Sequence, residues 1–310
     1  MPPIVLLGPQ RLQRTLGTVV LATGVEGDFA AVTAGWEERE DEIDELRAHL
    51  DRRVVNLRLY ARAEEVFRAD PEFSEGFRER RRRLRELADL HRIRLDHTKR
   101  AIRKLAKAQG DEDLLAPERA AAMDDLRRLD EHHRRRLAEV HAEFEEEWRP
   151  AERDAVAAHR REVAELLGAC SALAIAGGNV AVLIHRLRLF DIESHVGHLA
   201  VFAWSAGAMA CSEEIVTFHD DPPQGPGNAE VFGAGLGLVR GVLPLPHASK
   251  RLRLEDPKRV ATFARRFAPR ICVAMDRGHG MAWERGKWTS VAGGARRLTE
   301  EGEVVEMFAP

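Results

Sequence analysis

The chain has 310 residues, with 48 Lys+Arg against 51 Asp+Glu for a net charge of −3, and is 44% hydrophobic. That length and apolar content exclude a disordered chain and leave room for one large or two ordinary domains. The near-neutral charge excludes a globally basic nucleic-acid binder, and three scattered cysteines, Cys170, Cys211 and Cys272, exclude a disulfide framework or a Cys-rich zinc site and suit a reducing compartment.

Residues 1–35 carry two short apolar runs, Ile4–Leu7 and Val19–Ala22, which read as strands of a buried sheet. Neither the N-terminus nor the apolar stretch Ala169–Ile184, broken by Gly177, Gly178 and Asn179, has the makings of a signal peptide or a bilayer span. A cytoplasmic protein with no membrane partner is expected.

Residues 36–167 are rich in Glu, Arg, Leu and Ala and read as long helices, interrupted by a strand-like run at Val54–Leu59. Leu84, Ala88, His91, Leu95, Thr98, Ile102 and Leu105 form one heptad seam, and Met123, Leu126, Asp130, His133, Leu137, Val140 and Phe144 form a second. Gly110 and the acidic residues after it allow a reversal between them. The expectation is an antiparallel coiled-coil hairpin with helices over 72–108 and 117–148, projecting from the remainder of the chain. Pro117 then sits in the first turn of the second helix, and Pro150 ends it. Residues 77–107 hold 13 Lys/Arg and 4 Asp/Glu, whereas 111–147 hold 6 Arg and 13 Asp/Glu, so opposite charges steer the pairing. The expected register sets Leu105 near Met123, Leu95 near His133 and Leu84 toward Phe144. His91 and His133 read as polar seam residues that fix register in preference to a metal site. The run Arg80–Arg83, beside an acidic helix and without aromatic platforms, reads as part of the hairpin in preference to a phosphate contact, so no nucleic-acid partner is expected.

Residues 168–310 return to apolar runs with glycine-rich joints. Strands are expected at Ala172–Ala176, Leu199–Trp204, Ile215–Phe218, Gly241–Leu245 and Ile271–Met275. Alternating strands and helices give an α/β fold with a mainly parallel sheet.

The chemistry concentrates in this last part. In Leu199–Ala210 an apolar run ends at Trp204, and Ser205 is followed by Ala206, Gly207 and a helix-like stretch. A serine on such a strand-to-helix turn presents its hydroxyl, and the crowded turn needs small residues at Ala203 and Gly207. An N-capping serine in a tight turn reads the same way locally. The run Ala174–Ala176 leads into Gly177-Gly178-Asn179, where bare backbone can approach a ligand closely. Asp220 ends another candidate strand, and His247 follows Leu243-Pro-Leu-Pro.

With Trp-Ser-Ala-Gly-Ala, a preceding Gly-Gly-Asn turn, a following Asp and a Pro-His, the chain resembles the peptidase E and cyanophycinase family of serine peptidases, which share the flavodoxin-like fold of class I glutamine amidotransferases. The whole chain resembles bacterial type 1 glutamine amidotransferase-like proteins. The resemblance implies a flavodoxin-like α/β core with helices on both faces, made of residues 1–70 and 150–310, and a hairpin insertion over 71–149. It implies Ser205 as nucleophile, His247 as base, Asp220 as its orienting acid, and an oxyanion hole at Gly177, Gly178 and Ala206. Ser205 stands where glutamine amidotransferases carry cysteine, and Cys211 lies too far along to replace it. The long loop 222–230 borders the expected site, so Gly225, Gly227, Asn228 and Glu230, with Arg240, are candidates for binding substrate. The expected activity is hydrolysis of a small peptide or isopeptide, aspartyl by family resemblance, with no cofactor and no metal. The other reading is an interaction or regulatory protein whose hairpin binds a partner or a second copy, with a vestigial core.

Overall fold

The computed structural model describes residues 2–218 and 228–308. The chain opens with β1 (Ile4–Leu7), whose four residues are all buried. It continues into α1 (Leu16–Thr23), which replaces the strand expected at Val19–Ala22. The reason is spacing: Leu16, Val19 and Val20 are buried at i, i+3 and i+4, while Leu21 is 72% exposed. Gln10 Oε1 accepts the backbone N–H of Thr15 and Leu16 at its start, and Gly24 ends it with φ 66°.

β2 (Phe29–Val32) follows, then a 3-10 turn over Ala34–Arg39, α2 (Asp44–Leu50) and β3 (Val54–Asn56). The strand expected over Val54–Leu59 stops early because Arg58 takes a left-handed conformation (φ 52°) and starts α3 (Leu59–Ala69). Asp70 accepts Phe73 N–H and Pro71 occupies the first turn of α4 (Pro71–Lys107). Its partner α5 (Glu112–Trp148) is capped by Asp111, so it begins five residues before Pro117, which lies within the helix. A 3-10 turn at Pro150–Glu152 separates α5 from α6 (Asp154–Gly168).

Next come β4 (Ala172–Ile175), α7 (Val180–Leu189), β5 (Ala200–Trp204) and α8 (Ala206–Cys211). β6 (Glu214–Thr217) and β7 (Glu230–Ala234) pair as an antiparallel ribbon. β8 (Val242–Pro246) leads through α9 (Ala248–Arg251) and α10 (Pro257–Phe267) to β9 (Ile271–Met275). β10 (His279–Glu284), β11 (Lys287–Ala292), β12 (Arg296–Leu298) and β13 (Val304–Glu306) complete the chain.

The central sheet has the order β11-β10-β1-β5-β4-β2-β3. The five strands from β1 to β3 in that order are parallel, and β10 and β11 are antiparallel additions. Alternate side chains separate two cores. Val5, Leu7, Phe29, Ala31, Phe202 and Trp204 face α1 and α2, whereas Leu6, Val32, Leu173, Ile175 and Val201 face α3, α6, α7 and α8. The fold is therefore the expected α/β architecture, mainly parallel with helices on both faces. A second sheet, β13-β12-β9-β8, holds β8 and β9 parallel.

α4 and α5 pack antiparallel, but one helical turn away from the expected register. His91 stacks on His133, with ring centroids 4.1 Å apart, and Phe77 meets Phe144. Leu95 packs with Leu126 and Leu129. The helical pair also lies against the core instead of projecting from it. Phe73, Phe77 and Phe144 belong to the main core, and Arg80 is sandwiched by Phe77 and Phe144 at 4.4 and 4.0 Å from their ring centres. Farther out, Arg266 of α10 donates two hydrogen bonds of 2.7 Å to Asp130, a fully buried residue of α5. Arg127 donates to Arg265 O, and Arg134 of α5 pairs with Glu214 of β6.

Candidate active site

Ser205 stands between β5 and α8 with φ 54° and ψ −120°, a conformation that costs a non-glycine residue about 1–3 kcal/mol. Its N–H donates to Leu7 O at 3.1 Å, which ties the turn to β1. Gly207, two residues on, has no space for a side chain, because a Cβ there would lie 2.3 Å from Ile175 O. Buried Ala203 and Ala206 flank the serine, and Ser205 itself is half-buried. This is the sharp strand-to-helix elbow expected from the sequence.

β4 is the parallel neighbour of β5, so the turn after β4 arrives beside Ser205. A Cβ on Gly177 would stand 2.9 Å from Ser205 Cβ and 3.2 Å from its Oγ. Glycine thus leaves the hydroxyl uncovered. Gly178 has φ 117°, and a side chain there would collide with Gly35 O at 2.2 Å. Asn179 Oδ1 accepts Ala181 and Val182 N–H, capping α7.

His247 follows β8 in a left-handed conformation (φ 57°) and opens α9. Its N–H donates to Met275 O, at the end of the parallel strand β9. The next residue, Asp276, binds the α9 turn: Oδ1 accepts Ser249 N–H at 3.0 Å and Oδ2 accepts Ser249 Oγ at 2.5 Å. Arg296 donates to the same carboxylate at 2.8 Å. Gly8, just beyond β1, packs so tightly on Asp276 that a Cβ would lie 1.9 Å from its backbone oxygen. The carboxyl ends of β4, β5, β1, β9 and β8 therefore meet along one edge, with Ser205 and His247 on either side of the end of β1. Burial pushes the His247 imidazole pKa down; Arg251, Arg277 and Lys250 push the same way, and Asp276 opposes them. These influences favour the neutral, proton-accepting form of the ring.

Asp220, with His219, Gly225 and Gly227, lies outside the described residues. Asn228 and Glu230 are described, and they face the helical pair. Asn228 Nδ2 donates to Asp96 at 2.5 Å, and Arg92 forms a two-pronged bond to Glu230 at 2.8 and 3.0 Å. Arg266 Nη1 donates to the intervening Ala229 O at 2.7 Å. These groups fasten the segment to α4 and α10, so their polar atoms are already engaged. Arg240 precedes β8, whereas His247 follows it. Five strand residues put the two about 17 Å apart, at opposite ends, so Arg240 does not line this edge.

Two residues of this edge carry no motif in the sequence. One is Asp276, described above. The other is Glu37, in the turn after β2, with φ 59° and ψ −125°. That turn touches the Gly177-Gly178-Asn179 turn beside Ser205: Gly35 O accepts Asn179 N–H at 2.8 Å, and Glu37 Oε1 accepts Asn179 Nδ2 at 3.0 Å.

Against known families, the chain matches the model of peptidase family S51 over residues 90–291, about two thirds of its length. The chain belongs to peptidase family S51. It is a serine peptidase of the peptidase E kind. Among solved structures it is similar to a peptidase from an acI-B1 Actinobacterium, at 13% identity and a TM-score of 0.48, covering 99% of this chain and 97% of that one. It is also similar to a protein assigned as a peptidase E from Listeria monocytogenes EGD-e, at 11% identity and a TM-score of 0.44, covering 94% and 98%. No curated protein matches the chain. Among the described residues no helix is long and apolar enough to cross a membrane, and no three His, Cys, Asp or Glu side chains gather as metal ligands.

Proposed function

We propose that this S51 member hydrolyses a small peptide or isopeptide through Ser205, His247 and Asp220. The observation that carries the reading is the strained backbone of Ser205 beside the bare backbone of Gly177. His247 accepts the Ser205 proton as Oγ attacks the carbonyl, then returns it to the leaving amine. Asp220 orients the imidazole. Backbone N–H groups of the Gly177-Gly178 turn and of Ala206 receive the developing oxyanion. Aspartyl substrates follow from family membership, and the hydroxyl nucleophile separates the chain from glutamine amidotransferases. The three unpaired cysteines, all buried, suit a cytoplasmic setting.

The test is labelling with a fluorophosphonate, with the modified residue mapped by mass spectrometry. Wild-type protein should be modified at Ser205, and Ser205→Ala and His247→Ala should not react. Absence of labelling in the wild type would remove the nucleophile assignment.

A second reading concerns the helical pair. Leu90 and Ile93 of α4 are 60% and 59% exposed beside His132 and Arg136, an apolar strip suited to a protein partner or a second copy. Light scattering of wild type and Leu90→Glu/Ile93→Glu tests self-association; identical masses would leave no homodimer through this strip.

A further inference from the structure

We propose that the outer groove between α4 and α5 docks an acidic amphipathic helix of a partner protein. The proposal rests on the reading of the helical pair as an interaction surface, and it is independent of the chemistry at Ser205.

The groove follows from which helix faces the fold already uses. On α5, Arg127 and Asp130 bond α10 and Arg134 bonds β6; on α4, Arg92 and Asp96 bond Glu230 and Asn228. At about 3.6 residues per turn, Leu87, Leu90 and Arg94 of α4 and Asp125, His132 and Arg136 of α5 fall on the other side of the seam. They line two cavities of about 420 and 390 Å3 that adjoin at Arg94. From Leu87 to Ala101 the groove runs about 21 Å, the length of a four-turn helix.

Its floor is apolar and its walls are cationic. Leu90 and Ile93 are both more than half exposed, and Ala101 and Ala122 leave the far end open to a close backbone. His91 lines the second cavity with a side chain only 3% exposed. Its Nε2 lies 3.4 Å from Asp130, and its Nδ1 has no hydrogen-bond partner among the described residues. A buried polar atom of that kind is where a partner's polar group would be gained. Along the walls, Arg94 and His97 of α4 stand across from Arg128, His132 and Arg136 of α5. Among the described residues the lining holds one carboxylate, Asp125, and Arg128 engages it at 2.6 Å. Arg94, where the cavities meet, has no ion pair among the described residues.

The charge selects the occupant. A helix with an apolar stripe would cover Leu90 and Ile93, and carboxylates beside the stripe would meet Arg94 on one wall and Arg136 on the other. A second copy offering the same groove would set Arg94, Arg128 and Arg136 against their own duplicates, which disfavours self-pairing.

Fluorescence anisotropy of labelled peptides with the whole chain provides the test. The probe is a helix-forming peptide of about 15 residues, with leucine at every third or fourth position and glutamate on both flanks of that stripe. One control carries lysine in place of glutamate, and another is the scrambled sequence. The wild type should bind the acidic probe saturably and roughly tenfold more tightly than either control, the scale of one charge-assisted hydrogen bond. Leu90→Glu/Ile93→Glu should weaken that binding tenfold or more, and Arg94→Glu/Arg136→Glu should turn the preference toward the lysine probe. All four positions are exposed, so melting followed by circular dichroism should be unchanged in both variants. Equal binding of acidic and basic probes, or a preference indifferent to both variants, would overturn the proposal. So would a wild-type dimer that Leu90→Glu/Ile93→Glu dissociates, which would keep the helical pair as an interaction surface but assign it to a second copy. Neither saturable binding nor a dimer would remove the proposal and the interaction reading together.

Discussion

Gly177 and Gly178 are adjacent but answer to different neighbours. A methyl group at Gly177 would stand over Ser205 Oγ and crowd its Cβ at 2.9 Å, so Gly177→Ala should slow fluorophosphonate labelling by about a hundredfold, the scale of a disrupted oxyanion site. Gly178 faces Gly35 backbone with φ 117°, so Gly178→Ala should instead lower the unfolding free energy by about 1–3 kcal/mol, read from denaturant titration. His247 supplies a pH signature. Because burial and nearby cations lower its pKa, the acid limb of the labelling rate should lie below the ordinary histidine value of about 6.5. Removing positive charge favours the imidazolium, so Arg277→Gln and Arg251→Gln should each move that limb to higher pH. A limb unmoved by both would show that these cations do not act on the group that sets it.

At the scale of elements, the α4–α5 pair is tied to the rest of the fold in part by a buried ion pair between α5 and α10. Burial alone would raise the Asp130 pKa, but its bonds from Arg266 and the nearby His91 outweigh that and bring it to about 2. Asp130→Ala would leave Arg266 buried without a counter-charge, and it should cost about 3–5 kcal/mol, measured by chemical denaturation. Deleting 77–147 would strip Phe77 and Phe144 from the main core, so no folded monomeric core is expected by circular dichroism and gel filtration. The same pair shows how far the sequence could be read. Heptad spacing identifies the inward residues of each helix, but sliding one helix by a turn preserves that spacing. Arg266, 136 residues from Asp130, enters only with the tertiary fold. β1, β4, β5 and β9 are legible because each is a continuous apolar run with a small or glycine boundary. β2, Phe-Ala-Ala-Val, is lost among helix-favouring alanines, and α1 resembles a strand when its Val19–Ala22 run is taken alone. The elbow at Ser205 is legible because its geometry is local. Glu37, Asp276 and the engagement of Asn228 and Glu230 by α4 are not, since distant turns and helices bring them to their places.

On the scale of the whole molecule, several wholly or partly buried histidines set a common acid limit. Burial, followed by His91, lowers His133 to about 4, and burial, followed by Arg80 and Arg188, lowers His141 to about 4. Burial and the Arg80 charge hold His185 well below its ordinary value. Each is neutral when folded but takes up a proton near pH 6.5 when unfolded. The unfolded state therefore binds more protons between about pH 6.5 and 4, and stability falls as pH drops through that window. Calorimetry should show a melting temperature that is flat above pH 7 and declines below about 6.5; a flat profile down to pH 4 would contradict the burial of these rings. The placement of β1 carries a different consequence, one of timing. Its residues 4–7 are made well before those of its partners β5 and β10, which are residues 200–204 and 279–284. A growing chain must hold this apolar strand unpaired until those partners are made, on the order of 10–60 s at ordinary ribosome speeds. The oxygen that receives the Ser205 amide belongs to Leu7, so the Ser205 turn cannot be set until β1 meets β5 across nearly two hundred residues of sequence. Nascent chains stopped before residue 279 should therefore stay protease-sensitive and unreactive toward fluorophosphonate, although every residue from Met1 through His247 has already been made.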